Sequence, residues 1–224
     1  MMKTQVEKRA EVSPDVADDI PDIVIGRLPI YLQALIRLAE EGERATTSSH
    51  ELGERLGISS AQIRKDLSHF GEFGKQGTGY HIKYLIEQLR RILHLEHVWS
   101  VALIGAGFLG HALANYGGFH RRGFKVGWIF DADETKVGQK MGGIVVQNVN
   151  DLEQTIRREK VQMAILAVPA DAAQEITDRL VEAGVRAILT YAPISLVVPD
   201  GVYVQYSDPV VQLQRMTYYL SADG

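Results

Sequence analysis

Six residues constrain this chain more than any others. Gly105-Ala106-Gly107-Phe108-Leu109-Gly110 is a G-x-G-x-x-G that follows directly on the apolar run Val98-Trp99-Ser100-Val101-Ala102-Leu103-Ile104. A near-continuous apolar run of this kind reads as a strand buried on both faces of a parallel sheet. His111 to about Arg122 reads as the helix that follows, and Val126-Gly127-Trp128-Ile129-Phe130 as a second strand ending in Asp131, 21 positions after Gly110. A glycine pattern alone is weak evidence. Between a strand and a helix, with an acid closing the next strand, it has the full context of a dinucleotide fingerprint. Gly105 permits the tight turn, Gly107 lets the backbone approach a pyrophosphate, and Gly110 lets the helix pack closely. Unpaired N–H groups at the helix start, Ala106, Phe108 and Leu109 included in the turn, favour the phosphates. Asp131 is expected to accept hydrogen bonds from the adenosine ribose. With Asp133 and Glu134 beside it, a 2′-phosphate meets three negative charges, so NAD(H) is favoured over NADP(H). The competing readings are a turn holding another nucleotide or none, and a CoA-binding domain on the same sheet plan.

The remainder alternates as a doubly wound α/β domain does. Gln162–Val168 reads as a strand closed by Pro169, Asp171–Ala183 as a helix, and Val185–Thr190 as a strand closed by Tyr191-Ala192-Pro193. A short strand follows at about Val202–Gln205, then an amphipathic terminal helix over 210–220. Val168, Pro169 and Tyr191 fall at the carboxyl edge of the sheet, where a nicotinamide would sit.

The first hundred residues follow a different pattern. Leu28, Leu32, Leu35, Leu38 and Ala39 recur at helical spacing over 28–41, with Pro29 suited to a first turn and Gly42 as a stop. Ser48 and Glu51 match a capping box, and Ser59 and Gln62 match a second one after Gly57. Three helices with a tight glycine turn between the second and third make a helix-turn-helix pattern. In the third, Ile63, Leu67 and Phe70 form one stripe. Ala61, Arg64, Lys65 and Ser68 lie opposite, beside Ser60, Gln62 and His69. A small and basic face suits a major groove. Gly71 to Tyr80 carries four glycines in ten residues and reads as a hairpin with Lys75 near its tip, the wing of a winged helix. A small helical domain with a solvated charged face is the plainer reading of the same residues. Ile82, Leu85, Ile86, Leu89, Ile92 and Leu93 predict a helix over 82–95 that leads to the second domain.

Composition narrows the field further. The chain has 224 residues, a net charge of −4 and no cysteine. That excludes disulfides, iron–sulfur clusters and thiolate zinc sites, and it fits the reducing cytoplasm. No metal site is expected. No apolar run approaches the roughly 20 residues of a membrane span, and the first residues lack the apolar core of a secretory signal. Residues 1–23 hold three basic and six acidic residues and read as a flexible acidic tail. Residues 24–97 then form the winged-helix domain with its linker helix, 98–208 a Rossmann domain, and 209–224 a terminal dimerisation helix.

Several of these segments resemble the Rex family of redox-sensing transcriptional repressors: Arg27-Leu28-Pro29, Ser48-Ser49, Arg64-Lys65-Asp66-Leu67-Ser68-His69-Phe70-Gly71, Gly77-Thr78-Gly79-Tyr80, Gly105–Gly110, Ala112-Leu113-Ala114-Asn115-Tyr116, Phe130-Asp131 and Val168-Pro169-Ala170. The resemblance spans about Gly26 to Leu220. It implies a cytoplasmic homodimeric repressor of palindromic operator DNA whose affinity falls when NADH binds, with the terminal helix exchanged between subunits. It also implies DNA contacts from Arg27, Ser48, Ser49, Gly77 and the third helix. Asp208 would be a switch residue and Tyr116 a cofactor-site residue. Three positions depart from the family. Gln33 stands where an arginine partner of Asp208 is common, Pro209 where a phenylalanine is common, and Tyr191 in place of a phenylalanine. The resemblance stands against a dehydrogenase with an appended helical domain. Against that alternative, no histidine pairs with an acid near the expected nicotinamide end. A sensor without thiols must read the cofactor itself. An apolar pocket lined by Tyr116, Pro169 and Tyr191 would then prefer the neutral ring of NADH, because burying the NAD+ cation unpaired is costly.

Overall fold

The computed structural model describes residues 20–42, 44–75 and 77–220, so most of the acidic tail and the last four residues of the terminal segment lie outside it. The chain divides into two compact units between Glu96 and His97.

The first unit packs four helices, α1 (Asp22–Glu40), α2 (Ser49–Leu56), α3 (Ser60–Ser68) and α4 (Ile82–Ile92), with three short strands, β1 (Thr46–Thr47), β2 (Gly74–Lys75) and β3 (Gly79–His81). Helix α1 starts six residues before the expected first turn, so Pro29 lies inside it. Pro29 is on the exposed side, where the carbonyl it leaves without a partner can be hydrated. Leu28, Tyr31, Leu35 and Leu38 of α1 meet Leu52, Ile63, Leu67, Leu85 and Leu89 in one core. Both Ser caps form: the Ser48 hydroxyl accepts from the Glu51 N–H at 3.1 Å and the Ser59 hydroxyl from the Gln62 N–H at 3.2 Å. Gly57 closes α2 in the left-handed conformation. The expected wing is the antiparallel pair β2–β3, whose tip is closed by the Thr78 N–H donating to the Lys75 carbonyl. Strand β1 pairs with β3 and widens the wing to three strands, which the sequence pattern did not signal.

The second unit is a seven-stranded sheet in the order β10-β9-β8-β4-β5-β7-β6. The strands are β4 (Trp99–Ile104), β5 (Phe124–Asp131), β6 (Lys140–Met141), β7 (Ile144–Asn148), β8 (Met163–Leu166), β9 (Ala187–Thr190) and β10 (Tyr203–Tyr206). All neighbours run parallel except β6 and β7. Alternate residues of β4 feed opposite faces. Ala102 and Ile104 join the core under α7 (Leu152–Glu159) and α8 (Ala170–Ala183), and Val101 and Leu103 join the core under α5 (Phe108–Ala114) and α6 (Gly118–Arg121). The helix expected over 111–122 is therefore two pieces. It breaks at Asn115, whose side-chain amide turns back to donate to the His111 carbonyl at 2.8 Å. The terminal helix α9 (Pro209–Leu220) buries none of its residues. No described helix is long and apolar enough to cross a membrane.

Candidate DNA-reading face and dinucleotide site

On the first unit, the expected DNA-contacting residues separate into two groups. The start of α2, helix α3 and the wing enclose a concavity of about 1190 Å³, bordered by Ser48, Ser49, Arg64, Ser68, Lys75 and Gly77 among others. Of the expected residues, Ser48, Ala61, Arg64, Lys65, Ser68, Lys75 and Gly77 are exposed, while Ser49, Ser60 and His69 are half-buried. The Arg64 guanidinium donates to the Ser49 hydroxyl at 3.0 Å, which holds the arginine along the rim of the concavity.

Arg27 and Gln62 are placed differently. Both direct their side chains onto Asp66, a fully buried carboxylate on the inner side of α3. Arg27 makes a two-point contact at 2.5 and 2.8 Å, the Tyr31 hydroxyl donates at 2.5 Å, and the Gln62 amide donates at 2.6 Å. The sequence reading expected Arg27 and Gln62 on the DNA face; the structure shows both half-buried and bonded to Asp66. A buried charge needs a countercharge and satisfied lone pairs, and these residues supply them. Burial alone would raise the Asp66 carboxyl, but the donors outweigh it and hold it below the usual carboxylate range. Burial and the bond to Asp66 push the Tyr31 hydroxyl well above its ordinary value. Sequence reasoning missed Asp66. It lies between Ile63 and Leu67 on the edge of the apolar stripe, and that position was the available signal.

On the second unit, the glycine turn lies at the carboxyl end of β4. The strand order reverses there, with β5 on one side and β8 on the other, which is the crevice where open α/β sheets take ligands. The strand ends are level: Ile104 pairs with Phe130 and Leu166, and Leu166 with Thr190. Gly105 has φ +101°, and a Cβ there would come within 2.3 Å of the Ala167 carbonyl oxygen. At Gly110 a Cβ would lie 1.9 Å from the Gly105 carbonyl oxygen, so this glycine lets α5 close on the turn itself rather than on the sheet. In front of Gly107 a Cβ would meet nothing within 4 Å, and Phe108 is wholly exposed. That is open room beside backbone, as a pyrophosphate requires. Asp131 is buried at the end of β5, where its carboxylate accepts from the Ala106 N–H at 2.6 Å and the Asp133 N–H at 2.8 Å. These residues fit a dinucleotide.

Val168 is half-buried, Pro169 is exposed before α8, and the Tyr191 N–H donates to the Leu166 carbonyl at 3.0 Å, all at the expected sheet edge. Tyr116 is elsewhere. Its ring stands edge-on to Phe119, and it borders a cleft of about 680 Å³ with Phe124, Trp128 and Ile144. Neither Pro169 nor Tyr191 borders that cleft, so the expected grouping of the three is not formed there. The break in the helix at Asn115 redirects Tyr116. Asp208 accepts from the Val210 N–H at 2.8 Å and caps α9, while Pro209 occupies the first helical position. Among the described residues no His, Cys, Asp and Glu cluster could hold a metal ion.

Residues 19–68 match a family model described as a putative DNA-binding protein N-terminus, and residues 96–194 match one described as a CoA binding domain. A redox-sensing transcriptional repressor Rex from Roseiflexus sp. (strain RS-1) is 51% identical over 93% of this chain and 94% of its own. The chain belongs to the Rex family of redox-sensing transcriptional repressors. A Rex from Chloroflexus aurantiacus is 52% identical over 91% of this chain and 95% of its own. The crystal structure of RSP in complex with β-NAD+ and operator DNA matches with a TM-score of 0.86 and 39% identity, covering 91% of this chain and 94% of that one. RSP in complex with β-NADH matches with a TM-score of 0.82 and 37% identity, over 92% and 96%.

Proposed function

We propose that the protein is a cytoplasmic homodimeric repressor that binds a palindromic operator through α3 and the β2–β3 wing and leaves it when NADH binds. The observation that carries the reading is the presence in one chain of two sites. One is the small and basic face of α3; the other is the glycine turn of β4–α5, with Asp131 at the end of the neighbouring strand. Arg64 and Lys65 reach base edges or phosphates, Ala61 and Ser68 allow close approach, and Ser48, Ser49 and Lys75 anchor the backbone. At the second site, the backbone from Gly105 to Gly110 holds the pyrophosphate and Asp131 holds the adenosine ribose. Val168, Pro169 and Tyr191 face the nicotinamide end.

The bound cofactor supplies one difference, a positive charge on the nicotinamide ring of NAD+ that NADH lacks. The strand-end residues Val168 and Pro169 offer that cation no countercharge, which favours NADH. A family model described as CoA binding covers the same unit, and the acid at Asp131 supports a ribose diol as its partner instead. RSP is a precedent for both ligands on one chain, since its structures hold β-NAD+ with operator DNA, and β-NADH. The dimer is supported by α9, where Val210, Leu213, Met216 and Leu220 are all more than half exposed. Asp208 acts in this chain as the cap of that helix; Gln33 cannot give it the ion pair of the family, so coupling passes through packing. A gel shift on a palindromic duplex tests the reading. Binding with NAD+ and release with NADH are expected; a shift indifferent to both cofactors would reject it.

A further inference from the structure

The charge around Asp131 differs from the sequence expectation of three carboxylates. Lys136 folds back over the end of β5, with its ammonium 3.3 and 3.5 Å from the two oxygens of Asp131 and 3.5 Å from the carboxylate of Asp133. Burial alone would lower the Lys136 ammonium, but Asp131 and Asp133 outweigh it and raise it. The Asp131 carboxylate has about four acceptor positions. Two are taken by backbone amides, at 2.6 Å from Ala106 and 2.8 Å from Asp133. These are short and fixed by the turn. The ammonium contacts are the long ones, made by a flexible stem whose side chain is 35% exposed.

A ribose diol brings two hydroxyl donors, so it reaches Asp131 by displacing the weakest donor present, which is Lys136. The ammonium released stays on the Asp131–Lys136 turn, beside the ribose 2′ position. We propose that Lys136 sets how far this site discriminates between NADH and NADPH. It competes with the ribose for Asp131, and it gives a 2′-phosphate the one cation on a turn that otherwise carries Asp131, Asp133 and Glu134. The inference rests on the dinucleotide reading of this site. The site therefore takes NADPH as a weaker second ligand rather than rejecting it.

Lys136 could instead serve only to staple the turn, since its own N–H donates to the Asp133 carbonyl at 3.0 Å and Thr135 is bonded to Asp133 as well. The test is direct binding of NADH and NADPH, by nucleotide fluorescence, to the full chain and to Lys136→Met and Lys136→Arg, with a thermal melt of each. The expected result is that Lys136→Met leaves NADH affinity within about threefold and lowers NADPH affinity about tenfold, a change typical of losing one charged hydrogen bond. Lys136→Arg keeps NADPH binding. Equal loss of both nucleotides, with a lower melting temperature, would make Lys136 a staple and overturn the proposal. So would NADH binding by the unaltered protein with no detectable NADPH binding. If the unaltered protein binds neither nucleotide, the dinucleotide reading itself falls, and this proposal with it.

Discussion

Asp66 and Asp131 are both buried carboxylates, one in each unit, and they are held by different kinds of donor. Asp66 is saturated by side chains from two helices, Arg27 and Tyr31 on α1 and Gln62 on its own α3. Asp131 is held by two backbone amides and two long contacts from one half-exposed lysine. The first arrangement leaves no acceptor for a ligand, so the carboxylate locks α3 onto α1 and fixes the angle at which the reading face is presented. The second leaves one side of the carboxylate to a long, flexible donor, which is what the proposed exchange for a ribose requires. The donors around an acid, more than its burial, separate a positioning acid from a binding one.

Removing each acid tests this contrast. Asp66→Ala leaves Arg27 and Tyr31 without their partner, and breaking a buried pair of this kind costs about 3–5 kcal/mol. A thermal melt should show the first unit unfolding earlier while NADH affinity is unchanged; a melt like that of the unaltered protein would mean that Asp66 does not hold α3 to α1. The same acid sets a pH dependence. Its folded carboxyl is held below the ordinary value of about 4, so its stabilisation is present above that pH and is lost as pH falls further. Asp66→Asn should remove this acid-side loss in a pH series of melts.

Asp131→Ala acts the other way. It should weaken NADH by roughly 1.5–3 kcal/mol, the range for hydrogen bonds to a charged group, and leave operator binding without cofactor intact. Unchanged NADH affinity in a titration would make Asp131 a strand-end residue only. Arg64→Ala should cost about 1–3 kcal/mol of operator affinity, as one base contact does, with NADH binding untouched. If operator affinity holds, α3 is not the reader.

The contrast also explains what the sequence disclosed. The glycine turn, Asp131, the alternating strands and the two Ser caps were legible because each rests on local chemistry: a forced φ, a close approach, an N–H to satisfy. The Asp66 cluster was not legible because the Arg27 contact is tertiary, 39 residues away, and the Gln62 contact one turn along α3 gains its meaning only from the burial of Asp66. Within residues 132–161 only the charges of Asp133 and Glu134 were read, and the elements β6, β7 and α7 were not anticipated. Edge strand β6 has only two residues, and the apolar run of β7, Ile144-Val145-Val146, is too short to mark a strand by itself. Lys136 was invisible for the same reason as Arg27: only the folded turn brings it to Asp131. The break after α5 escaped because Asn115 ends the helix by a side-chain bond that helical periodicity does not encode.

The central claim is that a ligand in the second unit governs DNA binding by the first. Linkage makes it measurable from either side: whatever factor NADH removes from operator affinity, operator must remove from NADH affinity. The direct measurement is an NADH titration of the protein with and without saturating operator duplex, at two salt concentrations that both allow binding. Operator affinity itself should fall steeply with salt through counterion release. The account predicts NADH affinity about tenfold or more weaker in the presence of operator, by a factor that changes little with salt because packing carries it. Identical NADH affinity with and without operator would contradict the account.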